Sequence, residues 1–332
     1  MTMCHTKPAP AHFACLDIGT NSVLLLMAAV DEAGTITEEG EGYQTTRLGQ
    51  GVDQTGRLRP EAVARTLEAV EMFMSQAMAY PGRPLRLAVV STSAARDAVN
   101  GNDFTAPCRR ICGCEPTILT GGDEALATYI GAAGDLPDSQ PAVTLDIGGG
   151  STEVAFGAGS TCLFRTSLNM GCVRFGERFS LFDLPSPEAI QAARQAVRDE
   201  LATPVKEIGA AIHPADTGNI HYLASGGTAT SFASLAQSLP TYDKTRAHGF
   251  HAETARARAM TARLLAMPLA DRARLPGLRK GRGKVLSTGM LILQECLEAL
   301  AAPSFHVSAR GLRFGIIRQM AEGRFTPSLV IQ

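Results

Sequence analysis

One short motif occurs twice in this chain, and it constrains the fold more than any other feature. Leu16-Asp17-Ile18-Gly19-Thr20-Asn21-Ser22 is echoed 129 residues later by Leu145-Asp146-Ile147-Gly148-Gly149-Gly150-Ser151. Each copy ends an apolar run, makes a tight turn and leads toward a second apolar run. A strand, an Asp-x-Gly turn and a strand repeated at that spacing read as a duplicated domain whose two loops face one another. The 332 residues fit two domains at roughly 100–200 residues each.

Strands and helices alternate around these loops. Residues 13–30 read as strand, turn and strand, and 34–48 as another strand or hairpin. Pro60 opens a helix whose apolar face is Val63, Leu67, Val70, Met74 and Met78. Residues 85–90 and 117–119 read as short strands, each followed by a helix start, the first at Ser91-Thr92-Ser93-Ala94-Ala95-Arg96 and the second after Gly121-Gly122-Asp123-Glu124. In the second half, strands at 142–146 and 153–156 flank the glycine loop. Ser186, Pro187 and Glu188 open a long helix that Pro204 is expected to kink or split. Residues 222–225 form a strand ending on Gly226-Gly227-Thr228 and a helix, and helices cover the stretch from Glu253 onward and 285–300.

A phosphate needs many donors at close range, and glycines let backbone N–H groups reach it unobstructed. Gly148, Gly149, Gly150 and Ser151 meet that need, with a tight hairpin turn as the competing reading. Asp17 and Asp146, at strand ends, can hold Mg²⁺, which takes one or two carboxylates together with phosphates and water. Gly226-Gly227-Thr228 is a third strand–glycine–helix junction and a natural anion site. Arg96 suits bidentate phosphate binding, and a surface salt bridge explains it equally well. Glu124 and Glu153 are the acid–base candidates for hydrolysis of a phosphoanhydride, which needs a positioned water. Taken singly, Glu124 is also a first-turn glutamate favoured by the helix dipole, and Glu153 also a solvated strand residue. No Walker or Gly-x-Gly-x-x-Gly pattern follows either strand, which argues against the two commonest nucleotide folds.

Charge is informative through its distribution. The net charge of −1 calls for neither nucleic acid nor membrane. Between Lys244 and Lys284, however, eleven basic residues face two acidic ones, Glu253 and Asp271, which leaves about −10 on the rest. That stretch reads either as a track for successive phosphates or as solvated helix faces. Of eight cysteines, only Cys108, Cys112 and Cys114 cluster. They lack a nearby His or a second pair, so reduced, mostly buried thiols are favoured over a zinc site. The start shows no basic-then-apolar leader, and the longest apolar run, 23–30, falls short of the roughly 18–20 residues of a membrane span. A cytoplasmic location is the expectation.

Seven segments, in order over roughly 300 residues, resemble the exopolyphosphatase/guanosine pentaphosphate phosphohydrolase (Ppx/GppA) family. They are the first loop, Thr92-Ser93-Ala94-Ala95-Arg96-Asp97-Ala98-Val99-Asn100, Gly122-Asp123-Glu124-Ala125, the second loop through Glu153, Ser167-Leu168-Asn169-Met170-Gly171-Cys172-Val173-Arg174, Gly226-Gly227-Thr228-Ala229-Thr230 and Ser308-Ala309-Arg310-Gly311-Leu312-Arg313. The resemblance implies the α/β fold of the acetate/sugar kinase–heat-shock ATPase–actin superfamily. Two actin-like (ribonuclease H-like) lobes would face each other across a cleft. Residues 1–133 plus about 306–332 would form lobe I, and 134–305 lobe II. It further implies Mg²⁺-dependent release of the terminal phosphate of inorganic polyphosphate, or of the 5′ γ-phosphate of guanosine pentaphosphate. Mn²⁺ would be a substitute metal and K⁺ a further candidate ion, and a homodimer is expected.

By motif position, Glu124 resembles the glutamate that activates water. Asp17, Asp146 and Glu153 correspond to metal-holding carboxylates, and Asp146 and Glu153 also to carboxylates that position water. Asn21, Ser22, Arg96, Gly148, Gly149, Gly150, Ser151, Gly226, Gly227 and Thr228 correspond to phosphate contacts. Two departures stand out. Asp123-Glu124 replaces the usual Glu-Glu, and Arg282-Gly283-Lys284 replaces an Arg-x-Asp. The length matches short members that lack an added C-terminal helical domain, so short polyphosphate chains or pentaphosphate nucleotides are the expected substrates. A sugar or acetate kinase of the same superfamily and a non-catalytic alarmone sensor are the alternatives from other classes.

Overall fold

The computed structural model describes residues 9–212 and 218–332, and Cys4 lies outside them. The two motif copies fold alike. Gly19 N–H donates to the Ser22 carbonyl and Gly148 N–H to the Ser151 carbonyl, both at 3.0 Å. Each loop therefore closes the same hairpin between an incoming and an outgoing strand.

The first sheet contains β1 (Ala11–Ile18), β2 (Ser22–Val30), β3 (Ile36–Thr45), β4 (Leu85–Ser91), β5 (Thr117–Ile118) and, from the far end of the chain, β12 (Leu329–Ile331). The second contains β6 (Pro141–Ile147), β7 (Thr152–Ala158), β8 (Thr161–Leu168), β9 (His221–Ser225), β10 (His251–Glu253) and β11 (Ser304–Val307). Their strand orders match: β3-β2-β1-β4-β5 in one and β8-β7-β6-β9-β11 in the other. The first three strands of each form an antiparallel meander, and the next two run parallel to the strand that carries the aspartate. Two sheets with this order make the actin-like α/β fold.

The helices are α1 (Val52–Thr55), α2 (Pro60–Ala79), α3 (Ser93–Asp97), α4 (Asn102–Cys112), α5 (Gly121–Ala133), α6 (Arg174–Arg178), α7 (Pro187–Ala211), α8 (Gly226–Ala236), α9 (Lys244–Ala247), α10 (Thr254–Leu265), α11 (Leu269–Arg272), α12 (Gly283–Ala299) and α13 (Leu312–Ala321). On one face of the first sheet, Val70, Phe73 and Met74 of α2 and Phe104 and Cys108 of α4 pack with Leu16, Leu25 and Leu87. On its other face lie Phe314, Ile316 and Ile317 of α13. One face of the second sheet meets α7, α8, α10 and α12 through residues such as Val197, Phe232, Leu264 and Leu293.

Two helices change sides. α5 follows β5 at the edge of the first sheet, yet its Tyr129 and Ile130 pack with Ala142, Ala155 and Leu223 of the second. α13 follows β11 and covers the first sheet. They cross at glycines. A Cβ on Gly131 would lie 2.0 Å from the Gly311 carbonyl oxygen, and one on Gly315 would lie 1.7 Å from that of Ala127. The two backbones touch there, and no other residue fits.

Several expectations need correction. α7 is neither split nor interrupted at Pro204. The proline joins a buried stripe with Ala193, Val197, Leu201 and Ile208, so its ring contributes apolar contact where its lost N–H would have cost a bond. In α2 the buried row takes in Thr66, Phe73 and Ala77, and Met78 is left 50% exposed. α4 and β8 were not expected. Pro107 obscures the helical pattern of α4, and β8 is an edge strand with a mixed outer face. Cys108 and Cys112 point into the core with sulfurs 3.8 Å apart, and the described cysteines are free thiols. No helix among the described residues is long and apolar enough to cross a membrane.

The basic stretch is not one continuous track. Arg272 is fully buried and donates to the carbonyls of Leu264 and Met267, both at 2.8 Å, and of Phe182. Arg258 pairs with Glu298 at 2.8 Å. Lys244, Arg279 and Arg282 reach the cleft between the sheets.

Candidate active site

The Asp17 and Asp146 strands end on opposite sides of one cavity of about 190 Å³. A single water needs only about 10–15 Å³ on the same measure, so there is room for a phosphoryl group with its waters. Asp17, Asn21, Ser22, Glu124, Asp146, Gly148, Gly149, Ser151, Glu153, Gly226 and Gly227 all line it. Eleven residues spread over more than 200 positions of sequence are thus brought together by the duplicated topology.

Glycine has two jobs here. Some glycines present N–H groups, and others let the loops meet. A Cβ on Gly149 would lie 2.9 Å from Thr20 Cβ, and one on Gly150 2.5 Å from Ser93 Oγ. Gly226, at φ +77°, passes so close to Asp146 that a Cβ would lie 2.2 Å from Oδ1.

Three of the sequence-derived phosphate contacts sit elsewhere. Gly150 is outside the cavity lining, and its carbonyl accepts from Arg174 Nε at 2.7 Å. Thr228 is buried beneath α12, where a Cβ on Gly289 would meet its hydroxyl at 2.4 Å. Arg96 is also outside the lining and acts on a neighbour. Its Nη1 donates to Glu124 Oε2 at 3.2 Å and to the Leu119 carbonyl at 3.0 Å.

Glu124 stands in the first turn of α5. Thr120 caps that helix by accepting from Asp123 N–H at 3.1 Å, and its hydroxyl donates to Asp123 Oδ2 at 2.6 Å. The Asp123 that departs from Glu-Glu is therefore an exposed cap partner, and Glu124 alone enters the cavity. Burial, and then the charge of Glu153, push the Glu124 carboxyl well above the usual range, while Arg96 opposes them. Glu153 lies opposite Asp146 in the β6–β7 ladder and accepts from Ser167 Oγ at 2.7 Å. Burial and Asp146 push its pKa up to about 7. Asp17 rises to about 7 and Asp146 to about 6, both chiefly through burial.

Three buried carboxylates and the half-buried Asp146 around one cavity call for positive charge. Asp17 Oδ1 is buried without a hydrogen-bond partner. An all-oxygen donor set of this kind fits a hard divalent cation. No three metal-binding side chains among the described residues converge closely enough to enclose an ion by themselves. Mg²⁺, which keeps several waters and takes substrate phosphates as ligands, suits such a partial set.

The cationic counterpart was largely missed from sequence. Arg282 crosses the start of α8, where a Cβ on Gly227 would lie 1.8 Å from its Nη2. Arg313 donates to the Leu25 carbonyl at 2.9 Å and lines the cavity with Lys244 and Arg279. Arg313 ends the last family segment and Arg282 stands in one of the two departures, but neither was given a role from sequence. Lys244 and Arg279 had only the charge count of their region to mark them.

The raised carboxylates have a measurable consequence without metal. Below about pH 4, Asp17 is protonated in both folded and unfolded chains. As pH rises, the unfolded chain ionises first, and the folded state loses stability until pH passes about 7. In EDTA, Asp17→Asn is therefore expected to melt higher than the wild type at pH 8, by no more than about 4 kcal/mol, and to match it near pH 4. A thermal melt at the two pH values checks this, and equal melting at pH 8 would contradict the burial argument.

Two facing lobes of this topology, with carboxylates and cations around a phosphate-sized cavity, define a phosphoryl-handling protein of the actin-like class. The chain belongs to the Ppx/GppA phosphatase family, which matches it over residues 28–323. It is 33% identical over 296 residues to exopolyphosphatase 2 of Mycobacterium tuberculosis, covering 86% of this chain and 90% of that one. Among solved structures, an exopolyphosphatase-like protein superposes with a TM-score of 0.84 at 30% identity, over 94% of this chain and 98% of that one. The Aquifex aeolicus family member gives 0.76 at 26%, over 94% and 98%.

Proposed function

We propose that this chain is an exopolyphosphatase that releases the terminal orthophosphate of inorganic polyphosphate. The observation that carries this reading is the layout of charge in the one cavity. Carboxylates from both Asp-x-Gly strands and α5 line it together with Lys244, Arg279, Arg282 and Arg313. A chain of phosphates needs several cations in succession, and a single terminal phosphate needs a water and a base.

Asp17, Asp146 and Glu153 would hold Mg²⁺ directly or through water. When bound, the metal would offset charge on the transferred phosphate. Backbone N–H groups of Gly149 and of the Gly226-Gly227 turn donate to the terminal phosphoryl oxygens. Glu124, oriented by Arg96, accepts a proton from the attacking water. The water oxygen bonds to the terminal phosphorus, the bridging P–O bond breaks, and the shortened chain leaves with that bond's electron pair.

Guanosine pentaphosphate is the nearest competing substrate. The tyrosines in the cleft lining, Tyr43 and Tyr242, stack on Arg279 at 4.7 and 4.2 Å and so do not form an open slot for a purine. Phosphate release with Mg²⁺ from polyphosphate, guanosine pentaphosphate and ATP tests the assignment. Polyphosphate is expected to have the highest kcat/KM. A higher value for guanosine pentaphosphate would reassign the substrate, and no turnover of any would favour a sensor.

A further inference from the structure

Glu41 pairs with two of the cations that line the cavity. It projects from β3 of the first sheet, and its partners come from the second half of the chain. Oε1 accepts from Arg279 Nη2 at 2.7 Å, and Oε2 accepts from Lys244 Nζ at 3.2 Å. All three side chains line the cavity. Lys244 also pairs with Glu38, and Arg313 faces Glu41 from α13. Arg279 is held between the rings of Tyr43 and Tyr242. Its side chain is 22% exposed and that of Lys244 is 19%, so the pairs are partly sheltered from water.

A guanidinium fixed between aromatic faces, with an ammonium beside it, is a strong receptor for phosphoryl oxygens. In this structure a carboxylate from the opposite sheet has taken that receptor. An inner phosphate matches one carboxylate in charge and free oxygens, and adjoining phosphates of a chain together bring more of both, so a chain can compete for the same cations. On the exopolyphosphatase reading the end of a chain lies at the carboxylates and its inner phosphates extend along the same lining to Lys244 and Arg279, which a single orthophosphate at the carboxylates leaves to Glu41.

We propose that Glu41 is a specificity-determining residue, an internal anion that holds Lys244 and Arg279 until the inner phosphates of a polyphosphate chain displace it. The substrate class in this proposal rests on the exopolyphosphatase reading. Displacement makes the residue sensitive to chain length. Orthophosphate neither pays the cost of parting Glu41 from its partners nor gains their charge. Tripolyphosphate does both.

Calorimetric binding of orthophosphate and of tripolyphosphate to wild type, Glu41→Gln and Glu41→Ala tests this. Both variants are expected to bind tripolyphosphate roughly three- to tenfold more tightly, the scale of one or two half-sheltered ion pairs. Orthophosphate affinity should not move. Unchanged or weaker tripolyphosphate binding would overturn the proposal. Weaker binding of both probes would show instead that Glu41 serves to hold the cleft closed. Phosphate release measured alongside separates the two readings. Tighter tripolyphosphate binding without hydrolysis would leave the role of Glu41 standing and remove the exopolyphosphatase assignment. Hydrolysis without the binding change would do the reverse.

Discussion

Glu124→Gln is expected to lower kcat for phosphate release by about 10²–10⁴-fold, the usual contribution of a positioned general base. KM should move little, because the amide keeps the shape of the side chain and can still accept from Arg96. Folding should not suffer either. The wild-type carboxyl is 7% exposed and resists ionisation through burial and through Glu153. A neutral amide removes that cost. A variant with unchanged melting temperature and lost turnover would place Glu124 in the chemical step. A variant with full activity would shift the search for the base to Glu153, whose Oε1 is already engaged by Ser167.

The second large effect is on stability. Gly315→Ala puts a methyl group 1.7 Å from the Ala127 carbonyl oxygen, inside any tolerable contact. The neighbour is backbone and cannot rotate away, so α5 and α13 must separate. Overpacking of this kind typically costs about 1–3 kcal/mol, and a backbone clash belongs at or above the upper end. Denaturant titration should show the loss as a lower midpoint. Gly323→Ala is a poor control because φ there is +71°. Gly209→Ala, on α7 with nothing within 4 Å of the added carbon, is a fair one and should be neutral or slightly stabilising. Equal effects of Gly315→Ala and Gly209→Ala would refute the close crossing.

Much of the fold was legible because it is repeated. The two Asp-x-Gly loops share their turn hydrogen bond and their place in matching sheets, so recognising one explained the other. The carboxylates were legible because each ends or begins an element. Arg96 was found, but its action through Glu124 was not, since only the fold brings Leu119, Glu124 and Arg96 together. The glycine loop was read as a phosphate cradle. Two of its three glycines, Gly149 and Gly150, are required instead by contact with Thr20 and Ser93 of the other lobe, which no local pattern records. The basic stretch misled for a related reason. Charge counts do not distinguish Arg272, spent on buried carbonyls, from Arg279, which faces the cleft. Pro204 misled because a proline that fills a core stripe offsets its own broken bond.

The two halves share a turn but not a payload. Asp17 faces Leu24 across its hairpin, whereas Asp146 faces Glu153 across the other. Between α5 and α13, the helices that tie those halves together, backbone rests on backbone. Surfaces in such close contact resist sliding more than pivoting, so the crossing would serve as the fulcrum of any opening. Glu124 lies seven residues from Gly131, about 10 Å along the helix at 1.5 Å per residue. Any opening about that point swings the outer ends of the lobes farthest and moves Glu124 least. The proposed general base thus rides near the axle.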